Sequence, residues 1–452
     1  TTISPINQAR IISKSFNTIN EFNESIQKAK ASFRSWKFTK LQQRIEILKR
    51  FSGLCQIKRG LWARELVLQI GRPISQTEGE LDYINSQVDF LSDLVLKKMD
   101  PIQLNKNNAS LRRIKREPLG VGLLISPWNY PYNTTLSCLI PSILAGNTVL
   151  LKPSPQSPLV ADNIVNTLKE AGLPENVVQI LHLDEEGFKH AVAHPQIDYI
   201  NFTGSLANGC LIQNLNRLDK FINLNLELGG KDGFYFSEDA DLETYTPVAI
   251  RGAMDANGQS CSSVERIYVH ESVYDKFLCI AKNTIKSLKL GNPNLPETDV
   301  GPVISLTSAD YIKRQIDDAI DKGAQHLVDP NYFTQSIQGP NYIPPQVLIN
   351  CSHNMSIMTK ETFGPVVGVM KVKSDDQAVC LINDSEYGLT GGIFTQNKER
   401  AENFLSKLEV GTALCNTCND TEYYLPWTGT KKSGNGVSMS EFAFDRVTRL
   451  KA

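Results

Sequence analysis

No stretch of the 452-residue chain approaches the roughly 20 consecutive apolar residues that a membrane-crossing helix needs, so no span is expected. No sign of charge dominates either. Lysine plus arginine total 47 against 48 acidic residues, a formal net charge of -1, which leaves no nucleic-acid footprint. The short basic run Arg112-Arg113-Ile114-Lys115-Arg116 reads as a solvated strand or an interface edge. A disulfide framework is missing as well: the nine cysteines are odd in number and irregularly spaced, which points to a reducing compartment. Cys415-Asn416-Thr417-Cys418 has CxxC spacing without a second pair or a histidine cluster, and the six histidines share no motif, so no metal site is expected. Low-complexity segments, internal repeats and long Pro/Gly linkers are absent. Thr1 is not a methionine and no signal-type apolar segment follows it. A cytoplasmic location is expected, with an organelle matrix as the alternative if a targeting segment is missing.

What is present is a length that calls for two or three domains, with 41% hydrophobic and 21% charged residues. Ile19, Phe22, Ile26, Ala29 and Phe33 recur at helical spacing, and the pattern continues to about Val95. The stretch from Pro101 to Pro118 is extended and charged, as in a protruding hairpin. From Gly120 strands alternate with helices. The strands fall near 120–126, 148–152, 177–183, 197–202 and 221–228, and the helices over 136–145, 159–171, 186–193 and 206–218. Such alternation predicts a parallel sheet covered on both faces, with ligands at the carboxyl ends of its strands. A second αβ series follows Gly230, with helices over 242–256 and 273–288, a strand over 266–270 and a further helix through Ile312, Ile316 and Ile320. The fold class is therefore α/β with two lobes and a cleft between them.

The most informative residues are Gly258-Gln259-Ser260-Cys261, preceded by Glu227-Leu228-Gly229-Gly230-Lys231. A cysteine does covalent work only as a thiolate with a base at hand, and Cys261 with Glu227 supplies that pair. Asn129, within Pro127-Trp128-Asn129-Tyr130-Pro131, offers an amide donor for an oxyanion, and Glu361-Thr362-Phe363-Gly364-Pro365 adds a second carboxylate. The GxGxxG dinucleotide fingerprint is absent. Phe202-Thr203-Gly204-Ser205 still joins a strand to a helix, where backbone amides face a pyrophosphate. Lys152-Pro153-Ser154 ends another strand, within reach of a ribose or phosphate.

Taken in order along nearly the whole chain, these blocks resemble the NAD(P)-dependent aldehyde dehydrogenases. The resemblance implies two Rossmann-like parallel αβα lobes plus a small β-hairpin oligomerisation element. Residues 1–100 and 119–229 would bind NAD or NADP, 230–430 would form the catalytic domain, and 101–118 with 431–452 the oligomerisation element. Cys261 would attack the aldehyde carbon, Asn129 and the Cys261 amide would hold the oxyanion, and Glu227 would activate water against the thioester. Cofactor contacts would come from Ser126, Trp128, Lys152, Pro155, Gly204, Ser205, Leu228, Glu361 and Phe363. A C-terminal strand near Phe444–Leu450, read from the alternation of Arg446, Val447, Thr448, Arg449 and Leu450, would join the hairpin. Its open edge implies a homodimer or homotetramer.

The chain departs from the family where a glutamate often follows Lys-Pro-Ser. Pro155 stands there, which leaves the choice between NAD and NADP open. The C-terminal blocks also differ, here Leu425-Pro426-Trp427-Thr428-Gly429 and Ser433-Gly434-Asn435-Gly436, so this is a divergent branch and no substrate carries over. Thr134 and Ser137 are expected at the start of the substrate tunnel, and Asp420, Thr421, Glu422 and Tyr423 near its mouth. Acids there would disfavour carboxylated aldehydes and leave neutral aliphatic or hydroxylated ones. The alternatives are a CoA-acylating enzyme, against which Glu227 argues, and a catalytically silent relative, against which the intact Cys261, Asn129, Glu227 and Glu361 argue.

Overall fold

A short antiparallel pair of strands, Thr2–Ile3 and Arg10–Ile12, is followed by three long helices, Ile19–Trp36, Leu41–Ile70 and Ile74–Lys98, in a computed structural model that describes residues 1–104, 112–216, 221–336 and 338–452. Thr18 and Glu21 form a reciprocal capping box at the first start, and Gly71, at φ +73°, closes the second helix in the left-handed conformation. Among the described residues no helix is long and apolar enough to cross a membrane.

The helices pack on the first of two parallel sheets. Its strands run in the order Val178–Ile180, Thr148–Lys152, Val121–Ile125, Tyr199–Thr203 and Asn223–Glu227. Ile143, Leu144, Leu151 and Leu168 fill one face, and Phe22, Ile26, Leu123, Leu150 and Ile200 the other. The second sheet has seven strands, in the order Gln325–His326, Gln346–Ile349, Val366–Val372, Val264–His270, Asp232–Phe236, Thr390–Phe394 and Thr412–Cys415. Only the pairing of Gln325–His326 with Gln346–Ile349 is antiparallel. A short connection joins the two sheets. Glu227 ends the last strand of the first sheet and Asp232 opens the second.

Several expected boundaries change, among them the strand expected over 177–183, which is Val178–Ile180. The helix expected from Leu136 starts at Pro131, because a proline at the first helical position fixes φ and needs no N–H partner. The helix expected to reach residue 218 spans Leu206–Leu215, and 217–220 lie outside the described residues. The extended stretch expected near Phe444–Leu450 is a short helix, Ala443–Val447, followed by the strand Thr448–Lys451. Phe444 and Val447 are both buried and lie three residues apart, a helical spacing, and in the strand that follows only Thr448 is buried while Arg449, Leu450 and Lys451 are exposed, so the expected alternation is not seen. That strand pairs with Arg113–Pro118, which pairs in turn with Ile102–Gln103. The expected tip of this hairpin, 105–111, lies outside the described residues.

Candidate active site

The carboxyl ends of the first sheet and the loops facing them from the second lobe enclose a cavity of about 940 Å³. Every residue expected to act in catalysis or to contact the cofactor lines it: Cys261, Glu227 and Asn129, with Ser126, Trp128, Lys152, Pro155, Gly204, Ser205, Leu228, Glu361 and Phe363.

Glycines make this convergence sterically possible. A Cβ on Gly230 would strike the Cys261 carbonyl oxygen, and one on Gly229 would strike the Glu361 carboxylate. The Gly-Gly pair between the lobes therefore lets the nucleophile loop and the Glu361 loop press against the end of the Glu227 strand. Glu361 also accepts a hydrogen bond from the Gly230 amide at 3.0 Å.

Glu227 is buried and its Oε1 has no hydrogen-bond partner. Burial pushes its carboxyl up to about 7, well into the range where a carboxylate takes and returns protons near neutrality. Burial likewise pushes Glu361 up to about 8, with Glu265 adding repulsion. The Cys261 thiol is also pushed up, first by burial and then by the carboxylates of Asp232, Glu361 and Glu227. At neutral pH the thiol therefore keeps its proton until a base removes it. Asn129 is buried, and its Nδ2 donates to the Gln259 carbonyl at 3.0 Å, which fixes the amide beside the Cys261 loop.

At the cofactor end, burial pulls Lys152 down to about 8, and its Nζ makes only a 3.3 Å bond to the Pro153 carbonyl among described residues. Ser205 caps the helix Leu206–Leu215, whose amides open toward the cavity. The Pro155 carbonyl accepts from the Thr2 hydroxyl at 2.8 Å. Phe363 stands at φ +54°, a rare conformation for a bulky residue, and meets Trp128 edge-on with ring centroids 5.7 Å apart. Glu265 holds that turn, accepting from the Thr362 and Phe363 amides at 2.9 Å while pairing with the buried Lys231 at 2.5 Å.

Thr134 and Ser137 line the cavity as expected, but of residues 420–423 only Thr421 does. Asp420 instead takes a 3.3 Å bond from Thr417, and Tyr423 packs against Tyr83 and Phe90. Asp255 also lines the cavity. Sequence reasoning passed over it, although it lies in the same loop as Cys261. The tail also contributes. Ser433 accepts from the Leu228 amide at 3.0 Å through its carbonyl, and Ser438 and Met439 line the cavity.

Also missed were Arg72 and Glu80, a pair with side chains only 1% exposed. Arg72 donates to the Asn129 carbonyl at 2.9 Å, and Glu80 accepts from the Tyr132 and Asn133 amides at 2.8 and 2.9 Å. Burial works against the Arg72 charge, and Glu80, joined by Tyr130 and Asp255, more than restores it. Glu80→Ala strands that charge, with an expected loss of about 3–5 kcal/mol. Urea denaturation reads this loss directly, and a change below about 1 kcal/mol would show that the pair does not hold the Asn129 loop.

The whole chain, residues 1–452, matches the model of the aldehyde dehydrogenase family. This chain belongs to the aldehyde dehydrogenase family. Among its relatives is the probable betaine aldehyde dehydrogenase of Schizosaccharomyces pombe, 33% identical over 437 residues, covering 95% of this chain and 87% of the relative. The NADP-dependent glyceraldehyde-3-phosphate dehydrogenase of Bacillus halodurans, solved with NADP, superposes with a TM-score of 0.92 at 31% identity, covering 100% of this chain and 94% of that one. The betaine aldehyde dehydrogenase of Staphylococcus aureus, solved with NAD+, gives 0.93 at 28% identity, covering 100% and 90%. This aldehyde dehydrogenase is thus an oxidoreductase that uses NAD or NADP, and its two αβ lobes are those of the family's solved structures.

Proposed function

We propose that the enzyme oxidises an aldehyde to a carboxylic acid, with Cys261 as the acyl carrier and water as the final acceptor. The observation that carries this reading is Glu227, a buried carboxyl with a free oxygen and a value of about 7, lining the same cavity as Cys261. Glu227 takes the thiol proton, directly or through water, and the sulfur adds to the aldehyde carbon to give a thiohemiacetal. The Asn129 amide and the Cys261 N–H hold the oxyanion, a contribution of about 10²–10³ in turnover per donor. When bound, the nicotinamide supplies the acceptor for the hydrogen and electron pair that leave that carbon. Glu227 gives the thiol proton up to solvent, returns to the carboxylate, and then removes a proton from water. The hydroxide adds to the thioester, the C–S bond breaks, and the thiolate departs.

The residues fit a dinucleotide. Lys152 is a half-buried cation with little to bind, Glu361 presents a carboxylate held among the described residues only at Gly230, and Gly204 and Ser205 stand at a helix start. Lys152 would hold the adenosine ribose, Ser205 and Gly204 the pyrophosphate, and Glu361 the nicotinamide ribose with Phe363 near the ring. Ser126, Trp128 and Leu228 would complete the walls. With Pro155 in place of an acid, both NAD and NADP are accepted. In domain terms, residues 1–100 and 119–229 bind the cofactor and 230–430 carry the catalytic loop. The segments 101–118 and 431–452 present an exposed strand edge to a second subunit, so a dimer or tetramer is expected; sedimentation showing a monomer would overturn this.

An aldehyde panel assayed with NAD and with NADP tests the reading. Reduced cofactor without added CoA is expected. No reduction with any aldehyde would refute the proposal, and strict CoA dependence would replace water with CoA as acceptor.

A further inference from the structure

The structure assigns a positioning role in hydride transfer to Glu265. Paired with Lys231, this buried carboxylate holds the 361–363 turn in the form that grips the nicotinamide half of the cofactor. The role rests on the reading above that Glu361 holds the nicotinamide ribose, and it adds the residues that set that grip.

Glu265 lies in the strand Val264–His270 of the second sheet, is buried, and stands behind the cavity wall rather than in it. Donors from two segments converge on its carboxylate. The Thr362 amide donates to both oxygens at 2.9 Å, and the Phe363 amide donates to Oε1 at 2.9 Å. Lys231 Nζ, fully buried, donates to Oε2 at 2.5 Å and to the Thr362 hydroxyl at 3.1 Å. Lys231 directly follows Gly230, whose amide donates to the Glu361 carboxylate at 3.0 Å. The Lys231 carbonyl is itself fixed by Arg266 Nε at 2.8 Å. On the other side of the turn, the Tyr311 hydroxyl donates to the Glu361 carbonyl at 3.2 Å.

Two successive amides share one oxygen only where the chain bends sharply, and the bend leaves Phe363 at φ +54°. Strain of this kind persists only where the surroundings impose it. Its consequence falls on the site. Thr362 turns inward to Lys231, while its neighbours Glu361 and Phe363 line the cavity, with the Phe363 ring against Trp128. The charge of Glu265 matters as much as its shape. A carboxylate accepts all of these bonds at once, and each is strengthened by the charge. In Glu265→Gln one oxygen becomes an NH2 that meets only donors: the Thr362 and Phe363 amides on one side, the Thr362 amide and Lys231 on the other. The turn then relaxes, and the Glu361 carboxylate and the Phe363 ring lose their fixed places. The adenosine half of the cofactor sits on the first lobe, at Lys152 and Ser205, and is untouched.

Calorimetric titration of Glu265→Gln is expected to show NAD(P) binding weakened roughly ten-fold. AMP, or adenosine 2′,5′-bisphosphate for NADP, carries only the adenosine half and should bind within about two-fold of wild type. With enzyme in excess over aldehyde and NAD(P) saturating, the single-turnover rate of hydride transfer should fall roughly ten-fold or more, with a primary isotope effect from aldehyde deuterated at the carbonyl carbon. Glu361→Gln should give the same pattern, and the two substitutions together should cost little more than either alone. Combining Glu265→Gln with Lys231→Met strands no charge, so thermal stability should recover while the binding and rate defects remain. That double variant carries the test if Glu265→Gln does not fold. Unchanged affinity and hydride-transfer rate in Glu265→Gln, while Glu361→Gln loses both, overturns the role of Glu265 alone. Equal weakening of the adenosine ligand, or recovery of NAD(P) binding together with stability in the double variant, also overturns it, because Glu265 then supports the fold and not the nicotinamide half. A silent Glu361→Gln refutes the ribose role given to Glu361, and the role of Glu265 falls with it.

Discussion

Cys261→Ala is expected to lower aldehyde oxidation by roughly 10⁴-fold or more while leaving NAD(P) affinity within a few-fold of wild type. The size follows from what the thiol does. Without it no carbon–sulfur bond forms, and the oxyanion donors of Asn129 and the loop amide have no tetrahedral centre to stabilise. Eight other free cysteines are present, but the four buried ones sit in cores, Cys210, Cys279 and Cys380 are exposed on helices and Cys415 ends the strand Thr412–Cys415, so none replaces Cys261 in the cavity. The cofactor contacts come from other segments, so affinity survives. Absorbance of the reduced cofactor reads turnover, and tryptophan fluorescence reads binding. Retained turnover would move the nucleophile elsewhere.

Glu227→Gln should slow steady-state turnover by about 10²–10⁴ while a first burst of reduced cofactor remains. An amide accepts no proton from water, so the acyl group stays on Cys261. In wild type the rate should climb as pH rises through about 7, where Glu227 loses its proton, and then level off. In the variant that rising limb disappears. Stability moves in the opposite sense. The folded carboxyl is raised above its unfolded value, so the folded state holds the proton longer. Below the ordinary carboxylate range the burial carries no penalty. The penalty grows as pH rises from there to about 7 and reaches a plateau on the order of 3 kcal/mol. Thermal melts should therefore show Glu227→Gln more stable than wild type at pH ~8 and indistinguishable near pH ~4. Equal stability at both pH values, with an unchanged burst and steady rate, would remove Glu227 from the base role.

The site was legible in the sequence wherever the chemistry is carried by contiguous residues. Gly229-Gly230 beside Glu227 and Gly258-Gln259-Ser260 before Cys261 each mark a backbone that must come close to another, and the structure shows which one. The first lobe was legible because its strands are apolar runs bounded by turns. The strands Thr390–Phe394 and Thr412–Cys415 were not. The first carries two adjacent glycines, and a Cβ on Gly392 would meet the Phe234 ring, so packing against a neighbour rather than β propensity sets that strand. The Arg72–Glu80 pair was invisible because its purpose, fixing the loop at Asn129, joins segments 57 residues apart. Asp255 was hidden differently. Its position in the loop was plain, but only its side-chain direction distinguishes it from Asp420, which points to Thr417 instead.

The most direct test is mass spectrometry of Glu227→Gln, quenched after mixing with NAD(P) and an aldehyde that wild type oxidises. A covalent acyl group on the peptide containing Cys261, accumulating in step with the burst and absent from the other cysteines, is the predicted result. A burst without that adduct, or an adduct on another cysteine, would contradict the account.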